Sequence, residues 1–182
     1  MTERYDNVQI ALHWLIALLI FAAFPLGIYM ADLKPSPATL KLFSYHKWLG
    51  VTIFFLVAIR LGWRASHPVL PPIAGIPRWQ EITSIAIHHS LYLLMVVIPL
   101  SGWLMSSAAG YPTVWLGLVQ LPDLLDKNKE LGETLGEIHE TLNLIMLALV
   151  VVHAAAAIKH HFIDKDGLLQ RMNPFPGCGQ SS

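Results

Sequence analysis

Gly136-Glu-Ile-His139-Glu-Thr-Leu-Asn-Leu-Ile-Met146-Leu-Ala-Leu-Val-Val-Val-His153-Ala-Ala-Ala-Ala-Ile-Lys159-His160-His161 is the stretch whose reading decides the fold. An uncharged run from Thr141 to Ile158 carries one histidine, His153, and is bracketed by His139 and by His160 and His161. On a helix, His139 and His153 stand fourteen residues apart. They fall within about 40° of each other on one face and are separated by roughly 21 Å along the axis. An imidazole in hydrocarbon is expensive without a partner or a metal. Two of them on one stripe of a membrane-length helix suit one ligand for each of two metal cofactors. The rest of the chain then has to supply two more histidines at matching depths.

Composition agrees with a membrane protein. The 182 residues are 54% hydrophobic and 13% charged, outside the range of ordinary soluble domains. Four apolar runs approach the ~20 residues that cross a bilayer. They are Val8–Met30, Lys47–Trp63, Ile85–Ser107 and Ile138–Ile158. The expected fold is therefore an all-α membrane protein, a four-transmembrane-helix bundle, with residues 1–182 forming a single integral membrane domain. The first run is too long for a signal-peptide core, contains His13 and lacks a small-x-small site before Pro25, so it reads as a retained span. One cysteine, Cys178, excludes an internal disulfide framework, a cysteine-ligated iron–sulfur site and a C-x-x-C-H haem attachment. A formal net charge of zero without a basic stripe excludes nucleic acid as a partner.

Orientation follows from the basic residues. Arg4, Arg60, Arg64, Arg78, Lys159, Lys165 and Arg171 lie at the termini and in the second connection, so that side is expected to be cytoplasmic, with both termini inside. The other two connections hold Lys34, Lys41, Lys47, Lys127 and Lys129 with most of the carboxylates. Ala31–Ser44 reads as an outer loop with a short amphipathic turn at Leu40–Phe43, and Arg64–Thr83 as an extended, proline-rich inner connector that includes His67-Pro68 and Pro71-Pro72. Ala108–Glu137 is the longest outer loop, partly helical over Asp123–Glu133. Phe162–Ser182 is a polar tail with a flexible end. No repeat is visible.

Depth pairs the histidines. His13 lies ~8 Å in from the inner start of the first span, and His153 lies ~8 Å from the inner edge of a ~30 Å core. His46 and His139 open the second and fourth spans from the outside. Four imidazoles thus form two layers, an arrangement that fits bis-imidazole ligation of a flat macrocycle held between helices. Gly50 beside His46, Gly136 beside His139 and Ala154–Ala157 beside His153 are expected to make room for it. Taken singly, each signal has a plainer account. An interfacial histidine is ordinarily solvated, and small residues on a span ordinarily pack helices. His88 and His89 lie near the inner layer, and geometry alone leaves either open as a partner of His153. Met146, between the layers, reads as packing. His160 and Lys159, beyond the inner end of the fourth span, read on their own as solvated interface residues. His67 has no assigned role.

Several segments resemble one family. Gln9-Ile-Ala-Leu-His13-Trp14, Tyr45-His46 with Gly50, Leu91-Tyr-Leu-Leu followed by Pro99-Leu-Ser-Gly102, and Glu137-Ile-His139-Glu-Thr-Leu with His153-Ala-Ala-Ala-Ala are similar to bacterial cytochrome b561 of the superoxide:ubiquinone oxidoreductase (superoxide oxidase) type. The resemblance implies two haem b groups, with His13 and His153 on the cytoplasmic-side iron and His46 and His139 on the periplasmic-side iron. It also implies a bacterial inner-membrane location and ubiquinone as electron acceptor, with His160 and Lys159 as candidates to meet the quinone. If superoxide is the donor, Lys41, Lys47, Lys127 and Lys129 at the outer mouth are candidates to collect it. No nucleophile–base pair or phosphate loop is legible, so catalytic side chains in the ordinary sense are unknown. Two other functions fit the residues. A cytochrome subunit relaying electrons between a periplasmic dehydrogenase or hydrogenase and the quinone pool would co-purify with its partner. A histidine-lined divalent-metal carrier would be colourless, and the scarcity of carboxylates within the spans, Glu140 alone, weighs against it.

Overall fold

A computed structural model describes residues 4–175, except Pro35, Pro68, Val69, Pro72 and Ala74. Cys178, the end of the tail, and the two prolines Pro68 and Pro72 therefore lie outside the described residues. The chain builds four long helices: α1 (Asn7–Ala31), α2 (Pro37–Ser66), α3 (Arg78–Ala108) and α4 (Lys129–Lys159). All four are long and apolar enough to cross a membrane. Each exceeds the apolar run that announced it. Ser36 accepts from the Thr39 amide and Pro37 occupies the first turn, so α2 begins ten residues before Lys47 and absorbs the predicted outer loop. Asn128 caps α4 by accepting from Leu131, which starts that helix inside the predicted loop. The hydrophobic count finds where a helix enters lipid, whereas the caps decide where it begins.

The helices pack mainly in sequential pairs, α1 on α2 and α3 on α4, with α2 meeting α3. Each pair owns a buried cluster. Ile16, Ile53 and Val57 close the first, and Leu91, Leu94, Ile98 and Met146 the second, while Ile20 and Met95 pack against both. At one end Gly132 lets α4 cross close to the end of α3, since a Cβ there would stand 3.3 Å from the Ala109 nitrogen. Most remaining apolar side chains point outward, as a lipid-facing surface requires.

The first and last described segments, Arg4–Asp6 and Leu169–Asn173, meet at one end of the bundle, called here the termini end. Asp6 caps α1 through the Val8 and Gln9 amides and also accepts from the Trp63 indole, tying the start of α1 to the end of α2. Beyond α4 the chain makes a π-helical turn, His160–Asp164, and a 3₁₀ turn, Leu169–Met172. The described part of the tail is folded back rather than free. Trp14 donates to the Met172 carbonyl, Arg4 to that of Asn173, and the Tyr5 amide to that of Arg171.

The opposite, hairpin end carries an element absent from the sequence reading. Strands β1 (Val114–Trp115) and β2 (Val119–Gln120) pair antiparallel around a tight turn. Leu116 (φ 53°) and Gly117 (φ 71°) both take left-handed conformations in a turn closed by the Leu118 amide on the Trp115 carbonyl, within a three-residue connection. The hairpin is pinned to α2. Trp48 donates to the Val114 carbonyl at 2.6 Å, and Trp115 donates to the Thr52 hydroxyl at 3.1 Å.

Candidate functional site

Two histidine pairs lie on the bundle axis, one near each end. At the hairpin end the His46 and His139 ring centres are 6.3 Å apart; at the termini end His13 and His153 are 6.2 Å apart. A metal ion between two imidazoles needs about 2 Å of bond to each nitrogen and about 1 Å from nitrogen to ring centre, about 6 Å in all. Both spacings meet it. His88 approaches His153 to 5.1 Å, edge to face, which is too close for an ion to stand between them. His88 and His89 instead bond the carbonyls one turn back in α3, Ser84 at 2.6 Å and Ile85 at 2.8 Å.

The hairpin-end rings are seated with care. His46 Nδ1 lies 3.1 Å from the Ala23 carbonyl, and His139 Nδ1 lies 3.1 Å from that of Ile98. A carbonyl oxygen only accepts, so Nδ1 carries the proton and Nε2 keeps its lone pair. Ser101 Oγ donates its single proton to Ile98 at 2.8 Å and so accepts from His139 Nδ1 at 2.9 Å. Orientation through the far nitrogen is how proteins aim a metal-binding imidazole. Each ring also leans on a glycine. A Cβ on Gly27 would meet His46 Cε1 at 3.1 Å, and one on Gly102 would meet His139 Cε1 at 3.0 Å. A cavity opens beside these rings, lined by Phe24, Pro25, Gly50, Asn143, Met146 and Leu147 among others. Its apolar walls with few polar groups suit an apolar ligand that meets the two rings.

The small residues singled out from the sequence divide. Gly50 faces the cavity with no protein atom within 4 Å of a Cβ there, as expected of a residue that makes room. Gly136 does not: its Cβ position meets Met105 Sδ at 3.4 Å, so it serves the contact of α3 with α4. Gly27 and Gly102 do the seating instead. A regularity in the chain could have found them. Ala23 and Gly27 stand ten and fourteen residues after His13, and Ile98 and Gly102 stand ten and fourteen after His88. The expectation that no repeat exists is therefore corrected: the two helical pairs repeat one pattern of carbonyl, glycine and partner histidine.

The other expected site residues are placed as follows. Met146 is buried in the α3–α4 cluster, seven residues from His139 and from His153, and acts as packing. Lys41 is exposed on α2. Lys47 Nζ donates to the Tyr111 and Pro112 carbonyls, both at 3.2 Å. Lys127 lays its aliphatic stem over Gly110, and Lys129 pairs with Glu133 at 3.7 Å. At the termini end Lys159 bonds Asp164, and His160 Nδ1 bonds Asp166, both at 2.5 Å. Burial opposes ionisation of Asp166, but the Leu168 amide and the His160 ring outweigh it and hold its carboxyl below the usual range. His67 stacks on Trp63. One residue was misplaced. Arg60, counted with the second connection for orientation, lies within α2, is buried and donates to the Tyr92 hydroxyl at 2.9 Å and to the Gln9 carbonyl at 2.8 Å. Its signal was a charge inside a span.

Comparison with known proteins places this geometry. The sequence profile of the family described as prokaryotic cytochrome b561 matches residues 4–175. The chain is 34% identical over 174 residues to cytochrome b561 homolog 2 of Escherichia coli K12, covering 93% of this chain and 91% of that protein. It is 32% identical over 178 residues to cytochrome b561 homolog 1 of the same organism (94% and 98% covered). A protein of Yersinia pestis named probable superoxide oxidase CybB is 29% identical over 182 residues (96% and 98%). The chain belongs to the prokaryotic cytochrome b561 family, whose members bind b-type haem and transfer electrons, and is a multi-pass protein of the bacterial inner membrane.

Proposed function

We propose that the protein holds two haem b groups and carries electrons across the inner membrane from a periplasmic donor, superoxide, to ubiquinone. The observation that carries this reading is the pair of matched histidine gaps, 6.2 and 6.3 Å, at the two ends of the bundle. His13 and His153 would hold the cytoplasmic-side iron, and His46 and His139 the periplasmic-side iron. Bound there, haem supplies a one-electron couple at each level. The chain supplies the rest. Ala23, Ile98 and Ser101 fix the tautomer and aim of His46 and His139. The clusters around Val57 and Met146 keep water out between the layers. Folding of the tail over Trp14 covers the termini end.

Superoxide as donor rests on the named relative from Yersinia pestis and on the lysines of the hairpin end. Lys47 adjoins His46 in sequence and is held near the pair by the Tyr111–Pro112 carbonyls, which makes it the lysine best placed to attract an anion there. For ubiquinone at the other end the candidates are His160 and Lys159: Lys159 is engaged by Asp164, and His160 donates from Nδ1 to Asp166, so its Nε2 lone pair is left to accept from a hydroxyl of the reduced quinone.

The test is a reduced-minus-oxidised spectrum with haem quantification on the wild type and on His13→Ala, His46→Ala, His139→Ala and His153→Ala, followed by superoxide-driven ubiquinone reduction by the purified protein. Two haems per chain, one lost first in each variant, and quinone reduction by the lone protein are expected. A colourless preparation refutes the haem reading. Full haem retention in His13→Ala transfers that iron to His88 or His89. Quinone reduction only in the presence of a co-purifying soluble partner establishes the relay subunit instead.

A further inference from the structure

Arg60 is 7% exposed, inside a membrane-length helix, and pinned from two sides by Tyr92 and Gln9. A charge so placed is costly to bury and ordinarily marks function. Its position follows from the repeat. On α4, fourteen residues separate His139 from His153; on α2, fourteen residues separate His46 from Arg60. Both helices run from the hairpin end to the termini end. Arg60 therefore holds on α2 the station that His153 holds on α4, level with the termini-end pair. Its two bonds set it one helical turn from His13 on α1, through Gln9, and one turn from His88 on α3, through Tyr92. At the hairpin end the neighbouring cation, Lys47, is only half-buried and reaches to the Tyr111 and Pro112 carbonyls, so it is not a charge enclosed within the bundle as Arg60 is.

We propose that Arg60 is a fixed positive charge that raises the reduction potential of the haem held by His13 and His153, and so makes that centre the favoured resting place of the electron. The inference rests on the ligand reading above. Reduction adds one electron, hence one negative charge, to the centre, and a nearby cation that cannot leave stabilises the reduced form. Arg60 is a positioning residue here, since it acts on the centre through its field. The side chain suits the task because its guanidinium stays protonated and its fork is held by Tyr92 and Gln9 rather than by a carboxylate that would cancel it. Arg64, one turn on, also lies over the Tyr92 ring, 6.0 Å from its centre, and adds charge of the same sign.

The experiment is a spectroelectrochemical titration of the haem-loaded protein carrying Arg60→Gln, Arg60→Met and Arg60→Lys. The transition belonging to the His13/His153 centre is identified by its absence in His13→Ala. One charge acting across about 10 Å at an effective dielectric of about 20 shifts such an equilibrium by the order of tenfold. For a one-electron couple that is about 59 mV. Arg60→Gln is expected to lower this transition by about that much, leave the other in place and keep the haem content. Arg60→Met removes the burial cost together with the charge, so it gives the same reading should Arg60→Gln fail to accumulate. Arg60→Lys is expected to stay near the wild-type value. Unmoved transitions in the neutral variants, or a lysine variant indistinguishable from them, overturn the proposal. Absence of two haems in the wild type overturns the ligand reading instead, so the two failures are told apart.

Discussion

Gly102→Ala tests the seating of the hairpin-end pair with a single methyl group. The added Cβ would stand 3.0 Å from His139 Cε1 and 3.3 Å from Nδ1. Carbon atoms rest at about 3.5 Å or more, so the ring must retreat from α3 by about 0.5 Å. The Ile98 carbonyl that receives the Nδ1 proton lies on the same helix at 3.1 Å. The retreat stretches that contact to about 3.6 Å, beyond hydrogen bonding. Loss of such an orienting partner costs about ten- to a hundredfold in metal affinity. At about 1.4 kcal/mol per factor of ten, this is 1.4 to 2.8 kcal/mol. The assay is the haem-to-protein ratio of the purified variant, with its low-temperature reduced spectrum. The ratio should fall toward half, with the hairpin-end component missing and the helix content unchanged. Gly27→Ala should follow, slightly milder, because its Cβ meets His46 Cε1 at 3.1 Å. Gly62→Ala, with nothing within 4 Å, should do nothing to the haem. Both haems retained with an unchanged spectrum in Gly102→Ala would refute the seat.

Three further outcomes follow from other parts of the molecule. Gly50→Ala meets no protein atom, so a loss of hairpin-end haem with intact helices would report the macrocycle itself as the neighbour; unchanged haem content would place the macrocycle elsewhere in the cavity. Lys47→Gln should lower superoxide-driven quinone reduction several-fold and flatten its dependence on ionic strength, with haem content unaltered; an unchanged salt profile would remove Lys47 from donor capture. Acid should loosen the termini end in a defined window. Asp6 and Asp166 have folded values below the usual carboxylate range. Their contribution is therefore fully present above the unfolded value of about 3.9 and is lost as pH falls through the lower folded one. Fluorescence of Trp14, whose indole donates to Met172, should hold steady down to about pH 4 and change below it. In Asp166→Asn the change should be diminished; the same acid transition in that variant would assign it to other groups.

Sequence reasoning succeeded where the physics is local to one helix. A polar ring every fourteen residues on an uncharged run needs only helical geometry and the cost of burying an imidazole, so the histidine layers were legible. The seats were not, because they are relations between helices: Gly102 matters through a ring on α4, and Gly27 through one on α2. Proximity in sequence pointed to Gly136 beside His139, whereas that glycine faces Met105. The hairpin escaped notice for a different reason. Its strands are two residues each, and its turn sets Leu116, a residue that sequence patterns do not associate with positive φ, at 53°. What holds it are the indoles of Trp48 and Trp115 on α2 and β1, which composition alone reads as interfacial aromatics.

The two ends of the bundle are built on different plans, and the difference bears on direction. At the hairpin end the two helical halves contribute alike: a carbonyl and a glycine from α1 or α3, a histidine from α2 or α4. At the termini end the halves diverge. His13 and His88 are counterparts by their spacing to the seats, and so are Arg60 and His153, yet the ring gap that admits a metal joins His13 to His153 across the halves. The counterparts left over, His88 and Arg60, bring a ring bonded to its own helix and a permanent cation. A symmetric bundle would give two centres no reason to differ in potential. On the proposed ligand assignment, a buried positive charge at the termini end would give the electron a downhill path toward that end without altering any of the four histidines.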